Sequence, residues 1–386
     1  MGASVVSAAV AVPEVSPSSA VSGPAFMASS ASVATRVEAE LATFLDEHAA
    51  LLLQIHPDLA VLADATRNAV LIGGKRLRPT FAYWGWRCVQ PDRAESEADL
   101  IRAAASLELL HACALAHDDV MDASATRRGQ PAAHVRFTDV HRRNGWPGEP
   151  ESFGTAGAIL LGDLLLSWAE EMFTAAASQF PAERAAAAER QFDLMRTEVV
   201  AGQFLDVLAQ TRGAFDADEA LRVIEFKTSK YTIQRPLLLG AGAGGANVAT
   251  VATLSRYGHA LGEAFQLRDD LLGVFGDPTE TGKPAGDDLR EGKRTLLVAL
   301  ARGVADESQR RILDAGVGNG QLGEEGVREL RKVLTDTGAV ASIERRISGR
   351  AAEAEQALQA DGVLDSAPEA QRALTELAHA AAHRTF

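Results

Sequence analysis

Residues 117–122 read His-Asp-Asp-Val-Met-Asp, and they end a helical pattern that begins near residue 96. Asp118 and Asp122 stand in an i,i+4 relation, so an α-helix places their carboxylates one turn apart on the same face. Asp119 is rotated about 100° away from them. Stacked carboxylates repel each other unless a cation lies between them. Mg²⁺ binds one or two carboxylates and completes its shell with water and phosphate oxygens. The motif therefore predicts a magnesium site for a phosphorylated ligand.

A second acidic motif occupies residues 266–273 and reads Gln-Leu-Arg-Asp-Asp-Leu-Leu-Gly. Either motif alone is compatible with a solvated helix face, but the two together predict a metal cluster that grips a diphosphate from two sides. The second motif is reduced, because Gly273 stands where Asp269 would have a partner one turn further along. Asp270 and Asp277 are the candidates to compensate for that missing carboxylate.

The composition predicts an all-α protein. The 386-residue chain is 47% hydrophobic but only 5% aromatic, and alanine is frequent throughout. Strand-like alternation is absent. The net charge of −14 argues against nucleic acid as a partner. No uninterrupted apolar run is long enough for a transmembrane helix. Cys88 and Cys113 both lie in apolar helical patterns, which predicts free thiols and a reducing, cytoplasmic location.

The helical patterns predict one large bundle with its active site in the central cavity. Residues 1–32 form an Ala/Ser/Pro-rich segment that we expect to be disordered, and residues 33–386 form the catalytic domain. The predicted helices cover residues 33–54, 58–72, 79–89, 96–122, 152–178, 183–209, 216–243, 248–276, 293–302, 323–336, 339–360 and 367–383.

Two basic motifs are candidates to bind phosphate. Gly-Gly-Lys-Arg-Leu-Arg-Pro at residues 73–79 combines glycines, which let a ligand approach the backbone, with arginines suited to bidentate phosphate contacts. Read alone, this segment is also compatible with a basic helix end. Arg127 and Arg128 follow Asp122 closely, as a diphosphate site requires. His111 lies two turns before Asp118 on the same face, although a single helix histidine is more often only packed.

The ordered motifs resemble those of the trans-prenyl diphosphate synthase family, also called polyprenyl synthetases, over roughly residues 35–386. The resemblance is greatest to actinobacterial geranylgeranyl diphosphate synthases. Besides the acidic and basic motifs, the matching segments are Glu108–His111, Leu161–Leu164, Gly202–Asp206, Lys227–Ser229, Phe265–Gln266, Gly282–Lys283 and Gly292–Lys293.

The resemblance implies a Mg²⁺-dependent condensation of isopentenyl diphosphate with an allylic diphosphate such as dimethylallyl, geranyl or farnesyl diphosphate. It implies three bound magnesium ions, a homodimer, and the released diphosphate as the base. The implied metal ligands are Asp118, Asp122 and Asp269. The implied contacts to isopentenyl diphosphate are Lys75, Arg78, His111 and Arg128. The implied contacts to the allylic diphosphate are Arg127, Lys227, Thr228, Gln266 and Lys283, with Lys293 adding charge. Gln203 and Asp206 are implied to face the reacting carbons and the metal site.

Product length is predicted from the helix that precedes Asp118. Cys113 and Ala114, one turn back, are small and leave a tunnel open, whereas Leu110 and Leu107 lie deeper. One turn rises roughly 5 Å, about the length of an extended isoprene unit. A tunnel that narrows at the leucines favours geranylgeranyl diphosphate. A farnesyl or longer polyprenyl product is the alternative.

Two other functions are compatible with parts of the sequence. A class I terpene cyclase shares the helical bundle and the Mg²⁺ motifs, but it does not need a second diphosphate site such as the one predicted at Lys75, Arg78 and Arg128. A non-catalytic subunit of a heteromeric synthase is expected to lose metal ligands, and the complete first motif argues against it.

Overall fold

The computed structural model describes residues 24–92, 96–212, 216–276 and 286–382. Most of these residues are helical, which confirms the predicted all-α bundle. The helices of the first half are α1 (Pro24–Ile55), α2 (Ala60–Leu71), α3 (Leu77–Arg87), α4 (Glu97–Met121), α5 (Ala133–Asn144), α6 (Pro150–Ala177) and α7 (Ala182–Arg212).

The second half begins with a continuous helical segment that changes its winding. It comprises α8 (Ala217–Val223), a π-helix (Ile224–Gln234) and α9 (Arg235–Gly244). The remaining helices are α10 (Val248–Phe275), α11 (Asp287–Glu291), α12 (Leu296–Val304), α13 (Glu307–Gly316), α14 (Glu324–Asp336), α15 (Ala339–Gln359) and α16 (Pro368–Ala382).

Side-chain caps explain where several of these helices begin. At the start of α8 the Asp216 carboxylate accepts a hydrogen bond from the backbone N–H of Glu219, and the Glu219 side chain accepts one from the Asp216 N–H. This reciprocal capping box satisfies backbone donors that have no partner inside the helix. At the start of α10 the Asn247 side chain accepts a hydrogen bond from the backbone N–H of Thr250. Both caps were readable from local sequence, and both fall close to a predicted helix start.

Two hydrophobic clusters stabilise the bundle. The larger one joins α1, α3, α4, α6, α7 and α9, and it contains the fully buried Trp84 and Trp86. The smaller one joins the C-terminal half of α10 to α12, α14 and the first part of α15. Helix α10 contributes to both clusters and therefore links them. The cavity described below has walls from both clusters.

The structure differs from the sequence prediction at the start of the first helix. Helix α1 begins at Pro24, whereas residues up to 32 were predicted to be disordered. Proline is favourable in a first helical turn. Among residues 31–55 of α1, the buried positions begin with Val33 and continue through Val37 and Leu41, which is where the apolar pattern placed the start of the helix. Residues 1–23 lie outside the described residues.

Three helices and a hairpin were missed. Helix α11 has only five residues, too few for a periodic pattern, whereas α5 and α13 have a narrow apolar face on helices that are polar on average, and that face was overlooked. The hairpin pairs β1 (Thr126–Arg127) with β2 (Gln130–Pro131) in antiparallel register. Strands of this length cannot show an alternating pattern, and the prediction of no strand-like structure is corrected for this ribbon.

Two helices are long and apolar enough to span a membrane by length and composition alone, namely α4 and α6. The apolar window of α4 is 72% buried within the bundle, and that of α6 is 39% buried. Core helices pass the same test, so this finding is weak evidence for a membrane span.

Candidate active site

A cavity of about 1790 Å³ lies between the helices that carry the acidic and basic motifs. Among the predicted site residues, those lining the cavity are Lys75, Arg78, Leu110, His111, Cys113, Ala114, Asp118, Asp122, Arg127, Arg128, Gln203, Asp206, Lys227, Thr228, Gln266, Asp269 and Lys293. Leu107 does not line it, and Lys283 lies outside the described residues. Residues that are distant in sequence and were predicted separately therefore share one cavity.

Asp118 lies at the centre of the acidic wall. Its Oδ1 accepts hydrogen bonds from Gln203 Nε2 at 3.0 Å and from Lys227 Nζ at 3.2 Å. Its Oδ2 accepts a bond from Arg127 Nη2 at 3.2 Å. Burial tends to raise the pKa of Asp118, but the charges of Lys227 and Arg127 outweigh it, so the pKa is lowered. Asp118 is therefore a carboxylate at neutral pH, as a metal ligand must be.

Asp122 and Asp119 have different environments. Asp122 is the C-cap of α4, where burial and the neighbouring charge of Asp118 raise its pKa to about 6. Asp119 is 3% exposed, and its Oδ1 accepts a hydrogen bond from Arg127 Nε at 2.8 Å. Arg127 thus contacts both Asp118 and Asp119, but Asp118 and Asp122 line the cavity and Asp119 does not. The remaining repulsion between Asp118 and Asp122 is what a cation would relieve.

The donor set suits a hard cation, since it consists of carboxylate oxygens. Across the described residues, no three Asp, Glu, His or Cys side chains already converge as a ready-made metal cage. This arrangement fits Mg²⁺, which keeps several waters and is commonly held by one or two carboxylates together with substrate phosphates. Asp118, Asp122 and Asp269 are the predicted residues that can hold it.

Lys227 connects the acidic wall to α7. Its Nζ lies 2.6 Å from Asp206 Oδ2 and 3.2 Å from Asp118 Oδ1. Helix α7 reaches the π-helix at Gly202, where an added Cβ would lie 2.4 Å from the backbone nitrogen of Lys227. Burial opposes the positive charge of Lys227, but Asp118 and Asp206 outweigh it and raise its pKa. Lys227 is therefore a fixed cation beside the acidic motif.

The two basic motifs pack against each other. Arg128 and Gly129 are the central residues of the hairpin turn and have φ values of 52° and 71°. Positive φ at both central positions is the geometry of a type I′ turn, whose twist matches that of a hairpin. Arg128 Nη1 donates to the carbonyl oxygens of Ile72 at 2.8 Å and Gly73 at 3.1 Å. The turn therefore attaches the second basic motif to the glycines of the first.

Arg76, within the first basic motif, has a structural role. It is 2% exposed, and its Nη1 donates to Glu108 Oε2 at 2.8 Å and to the carbonyl oxygen of Val70 at 3.0 Å. Its guanidinium is thus held in the protein interior by α4. The backbone on either side directs Lys75 and Arg78 into the cavity.

Sequence reasoning missed Tyr231 and Thr232, which bring Arg78 and His111 together. Arg78 Nη2 donates to Thr232 Oγ1 at 2.9 Å, and its guanidinium lies 4.2 Å above the Tyr231 ring. Tyr231 Oη lies 3.4 Å from His111 Nδ1. Burial and the charges of Arg78 and Arg128 hold the pKa of His111 well below its usual value. The histidine is therefore neutral. The sequence offered one indication that Tyr231 and Thr232 belong to the site: they follow Lys227 and Thr228 by one helical turn.

The second acidic motif has a neighbour that the sequence did not reveal. Gln266 Nε2 donates to Asp270 Oδ1 at 2.6 Å. Burial, with a further contribution from Asp288, raises the pKa of Asp270 to about 7. Asp288 on α11 lines the cavity, and its Oδ1 accepts a bond from Lys293 Nζ at 2.7 Å. Asp277, the other candidate compensator, lies outside the described residues.

The apolar end of the cavity runs along α4. Cys113, Ala114 and Leu110 line it. Leu107 differs from the prediction, since it is fully buried and packed in the larger hydrophobic cluster. The cavity thus reaches Leu110 but not Leu107.

Comparisons with known proteins agree with this arrangement. A family model described as polyprenyl synthetase matches residues 60–334. A solved structure of geranylgeranyl pyrophosphate synthase from Corynebacterium glutamicum, complexed with isoprenyl diphosphate and magnesium, has a TM-score of 0.85 and 40% identity. That match covers 90% of this chain and 98% of the other.

Two curated relatives extend the comparison. The geranylfarnesyl diphosphate synthase of Aeropyrum pernix is 33% identical over 303 residues, which is 78% of this chain and 87% of the relative. The geranylgeranyl diphosphate synthase of Mycobacterium tuberculosis is 39% identical over 203 residues, which is 53% of this chain and 52% of the relative. The family match includes both acidic and both basic motifs.

Proposed function

The chain belongs to the polyprenyl synthetase family and is a prenyltransferase that elongates prenyl diphosphates, and we propose that its main product is geranylgeranyl diphosphate. Its substrates are isopentenyl diphosphate and the allylic dimethylallyl, geranyl and farnesyl diphosphates. The observation that carries the proposal is one cavity lined both by acidic residues of α4 and α10 and by the cations that are assigned below to two diphosphates. Two diphosphates need two such groups.

Magnesium is the proposed cofactor, held by Asp118 and Asp122 on one side and by Asp269 on the other. Three ions with a bound diphosphate are proposed, since this number follows the resemblance to the family. When bound, the metal neutralises diphosphate charge and stabilises the leaving group. The carboxylate chemistry of the cavity and the magnesium in the similar Corynebacterium structure support this assignment.

The allylic diphosphate is proposed to bind beside Lys227, with Arg127, Thr228, Gln266, Lys283 and Lys293 as further contacts. Ionisation of the allylic C–O bond leaves negative charge on the diphosphate oxygens. Preorganised cations aimed at that charge lower the barrier, because they need no reorganisation as the bond breaks. Lys227 is supported in this role by the two carboxylates that fix its position.

Isopentenyl diphosphate is proposed to bind at Lys75, Arg78, His111 and Arg128. The neutral His111 can donate one N–H to a phosphate oxygen, while the arginines provide bidentate contacts. The double bond of isopentenyl diphosphate attacks the allylic carbon, and the released diphosphate accepts the proton that is lost. Gln203 and Asp206 face this reaction centre and orient Asp118 and Lys227.

The growing chain is proposed to extend from the acidic wall past Cys113 and Ala114 toward Leu110. Small side chains at the first turn leave room for the chain, and Leu110 lines the cavity deeper along α4, where a leucine is expected to limit its length. This supports a C20 product over a shorter one.

A homodimer in the cytoplasm is also proposed. Helix α6 exposes Phe153, Ile159 and Leu160, which are 36%, 43% and 61% accessible. An apolar helix face of this kind is typical of a protein interface. Light scattering should give the mass of two chains, and Leu160→Glu should shift it toward one.

The free thiols of Cys88 and Cys113 agree with the proposed location in a reducing compartment.

The decisive experiment supplies the purified protein with Mg²⁺, isopentenyl diphosphate and each allylic primer in turn. We expect diphosphate release and a C20 product by chromatography. A cyclic hydrocarbon formed from the allylic primer alone would indicate a terpene cyclase. No diphosphate release would indicate a non-catalytic subunit. Either outcome would overturn the proposal.

A further inference from the structure

Gly273 is the residue that makes the second acidic motif incomplete, and the structure shows what occupies the space beside it. A Cβ built on Gly273 would lie 1.8 Å from Oδ2 of Asp288 and 2.6 Å from its Cγ. No side chain can coexist with that carboxylate at this distance. The space that a side chain at position 273 would occupy is therefore filled by the carboxylate of Asp288, which lies on another helix.

The carboxylate of Asp288 is presented on the metal-facing side of α10. Positions 269 and 273 are one turn apart, so their Cβ atoms stack about 5–6 Å from each other. Asp118 and Asp122 have this same spacing on α4. Asp288 Oδ2 reaches the Cβ position of residue 273, so it puts a carboxylate on the side of α10 from which the fifth residue of a complete motif would extend its own.

Short contacts fix the position of Asp288. The next residue, Leu289, is 2% exposed, and its carbonyl oxygen accepts a bond from the backbone N–H of Gly318 at 2.8 Å. Arg290 Nε donates to the carbonyl oxygen of Leu322 at 2.9 Å. Lys293 Nζ binds Oδ1 of Asp288, so that Oδ2 is the oxygen that faces Gly273. Helix α11 therefore holds this carboxylate in a defined orientation.

Asp270 is less suited to act as the second carboxylate beside Asp269. It is adjacent to Asp269 in sequence, so it points to a different side of the helix. Asp270 also lines the cavity, but its Oδ1 is bound by Gln266, a neighbour on its own helix, and it does not reach the space beside Gly273 that Asp288 occupies.

We infer that Asp288 is the second carboxylate of the reduced acidic motif, sharing a divalent cation with Asp269, and that Gly273 is needed to make room for it. This inference rests on the proposed function, because it assigns a residue to the same metal site. It differs from the sequence-based expectation, in which Asp270 or Asp277 compensates for Gly273.

The test measures cation binding directly and does not depend on turnover. Free Mn²⁺ is followed by electron paramagnetic resonance while the protein is titrated in the presence of inorganic diphosphate. Asp288→Asn keeps the size of the side chain but removes its charge, and we expect Mn²⁺ affinity to fall about tenfold or more. Glu291→Gln is the matched control. Glu291 also pairs with Lys293, at 3.2 Å, and it lies on the same short helix.

A relocated carboxylate provides the second arm of the test. Gly273→Asp alone should bind Mn²⁺ poorly, because its side chain collides with Asp288. Gly273→Asp combined with Asp288→Ala should restore binding to within about threefold of the original chain, since a carboxylate returns to the same side of α10, beside Asp269. Circular dichroism establishes that each variant is folded.

Two results would overturn the inference. One is Mn²⁺ binding by Asp288→Asn equal to that of the unaltered chain. The other is an equal loss in Glu291→Gln, because Asp288 would then act only through Lys293. Failure of the proposed function is distinguishable, since it is read from the product assay: the unaltered chain would then release no diphosphate or would form a cyclic hydrocarbon, whatever its Mn²⁺ affinity.

Discussion

The Nζ atom of Lys227 lies 2.6 Å from a carboxylate oxygen of Asp206. The lysine is on the π-helix and the aspartate is on α7, and the same ammonium group reaches Asp118 on α4. Three elements thus converge on one cation. π-Helical segments are rare and occur often at functional sites. Here the segment carries Lys227, Thr228 and Tyr231 into the cavity.

Lys227→Met should lower kcat by about 10²–10³, because it removes a preorganised charge from the leaving diphosphate. The KM for isopentenyl diphosphate should change little, since that substrate is assigned to the other basic group. Steady-state kinetics with geranyl diphosphate measures both quantities. Lys332→Met is the control, as Lys332 is an exposed cation that pairs with Asp336. A kcat within about threefold of the original would contradict the role of Lys227.

Asp118→Asn should abolish turnover while the helical circular dichroism stays unchanged. The substitution keeps the shape of the side chain but removes the charge that binds the metal and orients Lys227. Raising the Mg²⁺ concentration should recover only a small part of the activity. Asp314→Asn, on the exposed surface of α13, should behave like the original chain. Near-normal turnover of the Asp118 variant would refute its role as a metal ligand.

Cys113→Phe should shorten the main product, because a phenyl ring would fill the cavity one turn below Asp118. Leu110→Ala should lengthen it, since Leu110 is the deeper of the predicted side chains that reach the cavity. Chromatography of the dephosphorylated products measures both effects. An unchanged product distribution in both variants would remove α4 as the determinant of length.

Leu107→Ala separates packing from product control. Leu107 is fully buried but does not line the cavity. The substitution should therefore reduce the free energy of unfolding by about 2–5 kcal/mol, as removal of core methyl groups does. The product length should remain that of the original chain. Urea denaturation and product chromatography on the same preparation give the two readouts, and a longer product would place Leu107 at the end of the tunnel.

Glu263 joins α10 to α15 through Arg346 and Arg350. Burial tends to raise the pKa of this carboxyl, but hydrogen bonds from the two arginines outweigh it and lower the pKa below 4.5. Glu263→Gln should reduce the free energy of unfolding by about 2 kcal/mol at pH 7, between the values for exposed and buried ion pairs.

The effect of Glu263→Gln on the free energy of unfolding should depend on pH, because the pKa of Glu263 is lowered in the folded state. A carboxyl whose pKa is lowered in the folded state stabilises the fold above its unfolded pKa, and this contribution is lost as the pH falls through the folded pKa. The difference between the original chain and Glu263→Gln should thus shrink below pH 4.5. Glu325→Gln, on the exposed side of α14, is the control. An equal difference at pH 3 and pH 7 would contradict the role of the charge.

Much of the fold was readable from the sequence because helices are local structures. The apolar spacing predicted α4 almost to the residue, and the observed helix ends at Met121, immediately before Asp122. Helix α11 was not predictable in this way because five residues are too few for a periodic pattern, and α5 was missed because its apolar face is narrow on a helix that is polar on average. The predicted family was confirmed by the comparisons.

The sequence by itself determined the helical bundle, the stacking of Asp118 on Asp122 and the order of the acidic and basic motifs. These follow from the fixed turn of an α-helix and from spacing within short segments. Only the tertiary structure decided that Asp288 lies against Gly273, that Tyr231 connects Arg78 to His111, and that the cavity ends above Leu107. Those contacts join residues on separate helices, so they depend on how the helices pack and are not encoded by the spacing within any one of them.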